Sequence, residues 1–150
     1  MKLYTIGFTQ KSAEYFFESI KKENINLLVD VRLNNNSQLS GFAKGRDLSY
    51  FLPKIAACKY VHGLQFAPTK KLLSDYRKGI ISWSEYEAVY KQLCDQRNMV
   101  DHFMELLNKE KMTDNIVLLC SEHKPTQCHR RLLAEYLAKH IDHVEIHHII

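Results

Sequence analysis

A chain of 150 residues has room for one core of ordinary size and is cramped for two. With 45% hydrophobic and 25% charged residues it has the balance of a globule with a buried interior, and no stretch nears the roughly 20 apolar residues that span a bilayer, so no membrane partner is expected. Lys and Arg outnumber Asp and Glu by 21 to 17, a net +4 that suits an anionic partner without calling for nucleic acid.

The opening Met1-Lys2-Leu3-Tyr4-Thr5-Ile6-Gly7 reads as a short strand closed by glycine, with neither an apolar leader core nor a small-residue cleavage site. A cytoplasmic location follows as an expectation. The four cysteines, Cys58, Cys94, Cys120 and Cys128, are then expected as thiols, ligands or reactive groups rather than structural disulfides. Ser12 is placed to cap a helix with Phe16, Phe17 and Ile20 on one face. The turn at Asn24 and Asn26 leads into Leu27-Leu28-Val29-Asp30-Val31, an apolar run suited to a strand covered on both faces. Together these make a βαβ unit.

Residues 33–46, rich in Asn, Ser and Gly, read as a long loop, and loops of that length are often functional. A helix is expected from Asp47 to Cys58, with Pro53 forcing a kink or a late start, followed by a short strand at Lys59-Tyr60-Val61. Pro68 and Thr69 open a helix that stops at Gly79. Ser82 or Ser84 caps a helical region running to about Lys111, divided at Asp95-Gln96-Arg97-Asn98. Its aromatic stripe, Trp83, Tyr86 and Tyr90, reads as core, with stacking on a base or sugar as the alternative. Ile116-Val117-Leu118-Leu119-Cys120 is the clearest strand; a polar loop, a helix from about Gln127 to Lys139 and a last strand at Val144-Glu145-Ile146-His147 complete the chain. The alternation predicts one α/β domain over residues 1–150. Its expected form is three-layered, with a mainly parallel sheet of four to five strands flanked by helices, Rossmann-like or flavodoxin-like.

Ligands of such sheets bind beyond the strand C-termini, near a switch in strand order. Three segments qualify: Gly7-Phe8-Thr9, Asp30-Val31-Arg32 and Cys120-Ser121-Glu122. Asp30 and Arg32 share a face, either as a pocket fork for phosphate or carboxylate or as an ion pair that ties down the loop. In the segment Cys120 to Arg131, Thr126 is the expected N-cap, which puts Cys128 and His129 in the first helical turn, where free N–H groups favour an anion and lower a thiol pKa. Cys120, Glu122, Cys128 and His129 are the candidate catalytic groups; Gly7, Thr9, Asp30, Arg32 and Arg130 are the candidate substrate-binding ones. The plain alternative makes both cysteines small packing residues. Zinc is disfavoured, because the Cys spacing is not that of a structural site and adjacent helical Cys128 and His129 would diverge. No cofactor is specified. His123, His140 and His143 read as surface groups, whereas His147 or His148 can join the pocket if its side chain turns that way.

The chain resembles the bacterial and archaeal family called domain of unknown function 488 from end to end. The resemblance rests on Thr5-Ile6-Gly7-Phe8-Thr9, on Asp30-Val31-Arg32, on Gly41-Phe42 and on the late motif Cys120, Glu122, Pro125, Cys128, His129, Arg130. It implies that Asp30, Arg32 and the Cys–His–Arg segment belong to one site, and it supplies no reaction. The His-Ser pair usual in the family after the first glycine is Phe8-Thr9 here, so a role for that histidine is absent or moved.

Three functions compete. One is an enzyme acting on a phosphate-bearing or other anionic small molecule, or a nucleotide; the Cys-x₅-Arg loop of cysteine phosphatases is absent, since position 126 is Thr. Another is a nucleotide or nucleic-acid binding module using Lys44, Arg46, Lys70, Lys71, Arg77 and Lys78, with no RRM, KH, helix-turn-helix or zinc-finger signature behind it. The third is a metal-stabilised interaction protein.

Overall fold

Short apolar runs become strands and one-faced apolar stretches become helices, in an order that sets β-strands next to partners far away in sequence. The computed structural model describes residues 1–150. In chain order the elements are β1 (Lys2–Gly7), α1 (Ala13–Lys22), β2 (Leu27–Asp30), a 3₁₀ helix (Gln38–Ala43), α2 (Gly45–Ala56), β3 (Lys59–His62), a 3₁₀ turn (Leu64–Phe66), α3 (Lys70–Arg77), α4 (Trp83–Gln96), α5 (Met99–Glu110), β4 (Ile116–Cys120), α6 (His129–His140) and β5 (Glu145–Ile149). The five strands form one all-parallel sheet in the order β3-β2-β4-β1-β5.

Period-two alternation divides the core between the two faces of the sheet. Leu3, Leu27, Val29, Ile116 and Leu118 meet α4, α5 and α6, while Tyr4, Ile6, Leu28, Val117 and Leu119 meet α1 and α2. Central strands β2 and β4 are buried on both faces, each fully buried Leu or Ile being worth about 1.5–3 kcal/mol. Helix starts follow the caps expected of them: Ser12 accepts from Tyr15 N–H and Thr69 from Leu72 N–H, and Ser82 forms a reciprocal box with Glu85. Asn98, at φ 49°, makes the left-handed joint that separates α4 from α5.

Five points differ from expectation. The 33–46 stretch is not all loop: Ser37 caps a 3₁₀ helix, and α2 begins at Gly45. Pro53 lies inside α2 rather than delaying it, since the helix loses only the N–H that would have met the Ser49 carbonyl. The Leu64–Phe66 turn was not foreseen, and β5 starts one residue later and runs two residues further than its sequence pattern suggests. Most consequential for the site, α6 starts at His129 with Cys128 as N-cap, so Thr126 and Gln127 stay outside the helix. No helix is long and apolar enough to cross a membrane.

The strand order places the site. From β1 the chain crosses on the α1 face to reach β2, and from β4 it crosses on the α6 face to reach β5. β1 and β4 are neighbours, with Gly7 opposite Cys120, so two crossovers leave adjacent strand ends on opposite faces. That divergence opens a crevice at the switch in strand order.

Candidate functional site

The crevice is a cleft of about 440 Å³, reached by Phe8 and Thr9 after β1, by Arg32 after β2, and by Cys120, Ser121 and Glu122 at the end of β4. Cys128 and His129 close one end, and Tyr76, Arg77, Trp83 and Tyr86 from α3 and α4 form a wall. Gly7 allows the close approach of chains here: a Cβ at this position would collide with the Glu122 carbonyl. Thr9 fastens the same junction, its N–H and hydroxyl both donating to Ser121 O, at 3.2 and 2.7 Å.

At the end of β2, Asp30 and Arg32 make a two-pronged ion pair, Nε to Oδ1 and Nη2 to Oδ2, both at 2.8 Å. Arg32 Nη2 also donates to Ala43 O at 2.7 Å, and Tyr60 donates to Asp30 Oδ2 at 2.6 Å. Burial raises the Tyr60 pKa, and the adjoining Asp30 charge raises it further. The pair is buried, with Arg32 3% exposed and Asp30 0%, so each charge depends on the other. One guanidinium nitrogen, Arg32 Nη1, is buried without a partner, and the guanidinium carbon lies 5.2 Å from the centre of the Phe8 ring.

At the end of β4 the arrangement differs. Arg130 is 0% exposed, yet no carboxylate meets it. Its Nη1 donates to Glu122 O at 2.6 Å and to Cys128 Sγ at 3.4 Å, its Nη2 donates to His123 O at 3.3 Å, and its Nε has no partner. His129 is held by Nε2–H donating to Val31 O at 2.6 Å; a carbonyl only accepts, so Nδ1 is left as the acceptor nitrogen. Cys120 Sγ lies 3.7 Å from Nδ1 and 3.9 Å from Nε2. A hydrogen bond along the Nδ1 lone pair would leave Nε2 much farther from the sulfur, so the near-equal distances describe a sulfur packed on the imidazole.

The two sulfurs respond in opposite directions. The neighbouring Cys128 thiol lowers the Cys120 pKa, and the Arg130 charge and the Ser121 N–H act the same way against the cost of burial. Burial holds Cys128 well above the ordinary thiol value, and the Cys120 charge adds to that. Counting the residues that hold the lining, the buried groups of fixed charge around the cleft are two guanidiniums, Arg32 and Arg130, and one carboxylate, Asp30. A thiolate at Cys120 balances that count.

A family model for the domain of unknown function DUF488 matches residues 12–137. The chain belongs to that family. No curated protein and no solved structure matches it. The match to DUF488 begins after β1 and ends within α6, yet β1 is an interior strand of the sheet and delivers Phe8 and Thr9 to the cleft.

Of the residues singled out from the sequence, Thr9, Arg32, Cys120, Glu122, Cys128 and His129 line the cleft. Gly7, Asp30 and Arg130 do not; they hold the residues that do. Trp83 and Tyr86 border the cleft, and Tyr90 stands behind His129 with ring centres 5.5 Å apart and its hydroxyl on Phe66 O. His148 turns instead to Thr5 Oγ1 at 2.6 Å, and His147 to Glu145 at 2.8 Å. Among the six cations considered for nucleic acid only Arg77 lines the cleft; Lys71 pairs with Asp75 and Lys44 with Gln38. Sequence reasoning put Phe8 in a ligand-facing segment but not among the site residues, although its departure from the family's histidine was a signal, and it gave Tyr76 no place at the site.

The expectation that Cys128 and His129 diverge is overturned. Cys128 has extended backbone at φ −144° and ψ 136°, not helical backbone, so its sulfur, that of Cys120 and a His129 nitrogen come within 4.8 Å of one another. These are donors suited to a soft metal ion. The Arg130 cation, bonded to one of the sulfurs, opposes a divalent charge there.

Proposed function

We propose that the cleft binds a small anionic molecule and that Cys120 acts on it as a thiolate nucleophile. The observation that carries this reading is Arg130, a buried cation with no carboxylate, whose neighbours are two carbonyls and the Cys128 sulfur, with the Cys120 sulfur within 4.8 Å of the Cys128 one. An unpaired charge of that kind is costly, and a thiolate beside it removes the cost. Arg130 and Asp30 are therefore positioning residues: one charges the nucleophile, and the other holds Arg32. The anion is received between Arg32 and Arg77, and Glu122, exposed at the rim, exchanges protons with the substrate. His129 fixes the sulfur in place from below rather than taking its proton.

A second reading keeps the cleft and drops the chemistry. Tyr76, Trp83 and Tyr86 are mutually packed, with Trp83 and Tyr86 stacked at 5.1 Å, and such a wall also suits the base of a nucleotide bound without reaction.

The deciding measurement is the rate of iodoacetamide alkylation of each cysteine against pH, mapped by mass spectrometry with and without chelator. Cys120 is expected to react with an apparent pKa below the unperturbed value of about 8.5, independently of chelator, with Cys58 and Cys94 as slow internal references. If Cys120 stays as slow as those two up to alkaline pH, the nucleophile is lost and the binding reading stands.

A further inference from the structure

Four thiols are buried in this chain, and they are not equivalent by location. Cys58 packs with α1 and α2 on one face of the sheet, and Cys94 lies in α4 against the core of the other. Cys120 and Cys128 alone border the cleft, and their sulfurs face each other within 4.8 Å. Both also sit at ends of elements. Cys120 is the last residue of β4, and Cys128 is the N-cap of α6, so its own backbone is extended. Between them the loop is pinned early, through Ser121, Glu122 and His123 carbonyls held by Thr9 and Arg130. The rest, Lys124 to Gln127, is a turn in which Gln127 Oε1 accepts from the Tyr76 hydroxyl. The slack needed to bring two sulfurs to bonding distance therefore lies on the Cys128 side and does not require unravelling the helix.

We propose that Cys120 and Cys128 form a reversible dithiol–disulfide couple, oxidised by small hydroperoxides that enter through the cleft. The inference rests on the reading of Cys120 as the reactive sulfur and adds a partner and a second chemistry. Cys120 sulfur attacks the terminal oxygen of the hydroperoxide; the S–O bond forms, the O–O bond breaks, and the departing alkoxide or hydroxide takes a proton from water. Cys120 is then a sulfenic acid, and the peroxide has been reduced to an alcohol or water. Cys128 sulfur next attacks Cys120 sulfur; the S–S bond forms, the S–O bond breaks, and the hydroxide leaves as water with the Cys128 proton. Two electrons pass from the two thiols to the peroxide. Two equivalents of a small thiol reverse the change by exchange. The aromatic and apolar lining of the cleft favours organic hydroperoxides over hydrogen peroxide itself.

The test treats the wild-type protein, in chelator, with one equivalent of cumene hydroperoxide and maps peptides by mass spectrometry without reduction. The expected result is a loss of two hydrogens from the intact mass, a linked peptide pair carrying Cys120 and Cys128, and full reversal by dithiothreitol. In Cys128→Ser, Cys120 is expected to accumulate as the sulfenic acid trapped by dimedone, and in Cys120→Ser no linked pair forms. A wild-type protein that stops at the Cys120 sulfenic acid overturns the couple while leaving the nucleophile intact. A protein alkylated fast at Cys120 yet inert to the hydroperoxide does the same. If Cys120 is slow toward both reagents, the proposed nucleophile falls together with the couple.

Discussion

Beside the ends of β2 and β4 two arginines are buried, Arg32 in the cleft lining and Arg130 behind it at the start of α6, and the two are provided for differently. Arg32 arrives with its counter-charge two residues away: Asp30 meets it with two hydrogen bonds, and Tyr60 braces the carboxylate from behind. Arg130 arrives with carbonyls and sulfur. A structural ion pair is complete without any reaction, whereas a lone buried cation calls for an anion, which in the proposed function is the Cys120 thiolate. On the proposed function, the contrast separates an arginine held in place to receive the anion from one that charges the sulfur.

The largest expected effect comes from removing Asp30. Asp30→Asn leaves Arg32 buried beside a neutral group and is expected to cost about 3–5 kcal/mol in urea unfolding. The two changes should also move the Cys120 alkylation profile in opposite directions, because the Arg130 charge lowers its pKa and the Asp30 charge raises it. Arg130→Met is expected to shift the profile to higher pH and Asp30→Asn to lower pH. Profiles that move together would break the comparison.

The cysteines give a second contrast, read in stability against pH. Burial pushes Cys58 and Cys94 up to about 12. Folded values above the unfolded one contribute stability that is whole below about pH 8.5 and lost as pH climbs toward 12, at up to about 1.4 kcal/mol per pH unit per thiol. Cys120 is lowered, so its contribution is whole above the unfolded value and is lost as pH falls through its folded value. Cys120→Ser is expected to flatten the acid side of the profile, and Cys58→Ala with Cys94→Ala to flatten the alkaline side. Denaturation midpoints across pH check both, and an unchanged acid limb in Cys120→Ser counts against the thiolate.

The smallest effect sharpens the β2 end. Tyr60→Phe removes one donor from the Asp30 carboxylate while keeping the ion pair, and it is expected to cost about 1.5 kcal/mol without changing Cys120 alkylation. A change in that rate would show the two strand ends to be coupled.

Local signals carried much of this fold. Apolar runs gave β2, with its one carboxylate at Asp30, and β4, hydroxyl caps gave α1, α3 and α4, and the strand–helix alternation gave a parallel sheet. What local signals do not contain is which strands touch. That β4 lies between β1 and β2 follows from burial summed over the whole chain, and the position of the cleft depends on it. The same limit applies within the site. Asp30, Arg32, Cys120 and Cys128 stood out as residue types, but whether each guanidinium faces the cleft or props it up is set by carbonyls of Ala43, Glu122 and His123, which any residue supplies. The start of α6 was misplaced for a related reason: Thr126 has the side chain of a cap, while the backbone geometry that decides the cap fell two residues later.

The sheet order has a consequence for how the chain assembles during synthesis. β1 is made before β2, but its neighbours are β4 and β5, more than a hundred residues downstream; β2 also waits for β4 on one side. Early segments can form β2 with β3 and collect helices, but β1 has no edge to join until Ile116–Cys120 has left the ribosome. Long-range pairing of this kind is slow. β4 thus acts as a late keystone, and the strand that closes the sheet is the one that brings Cys120 to its place.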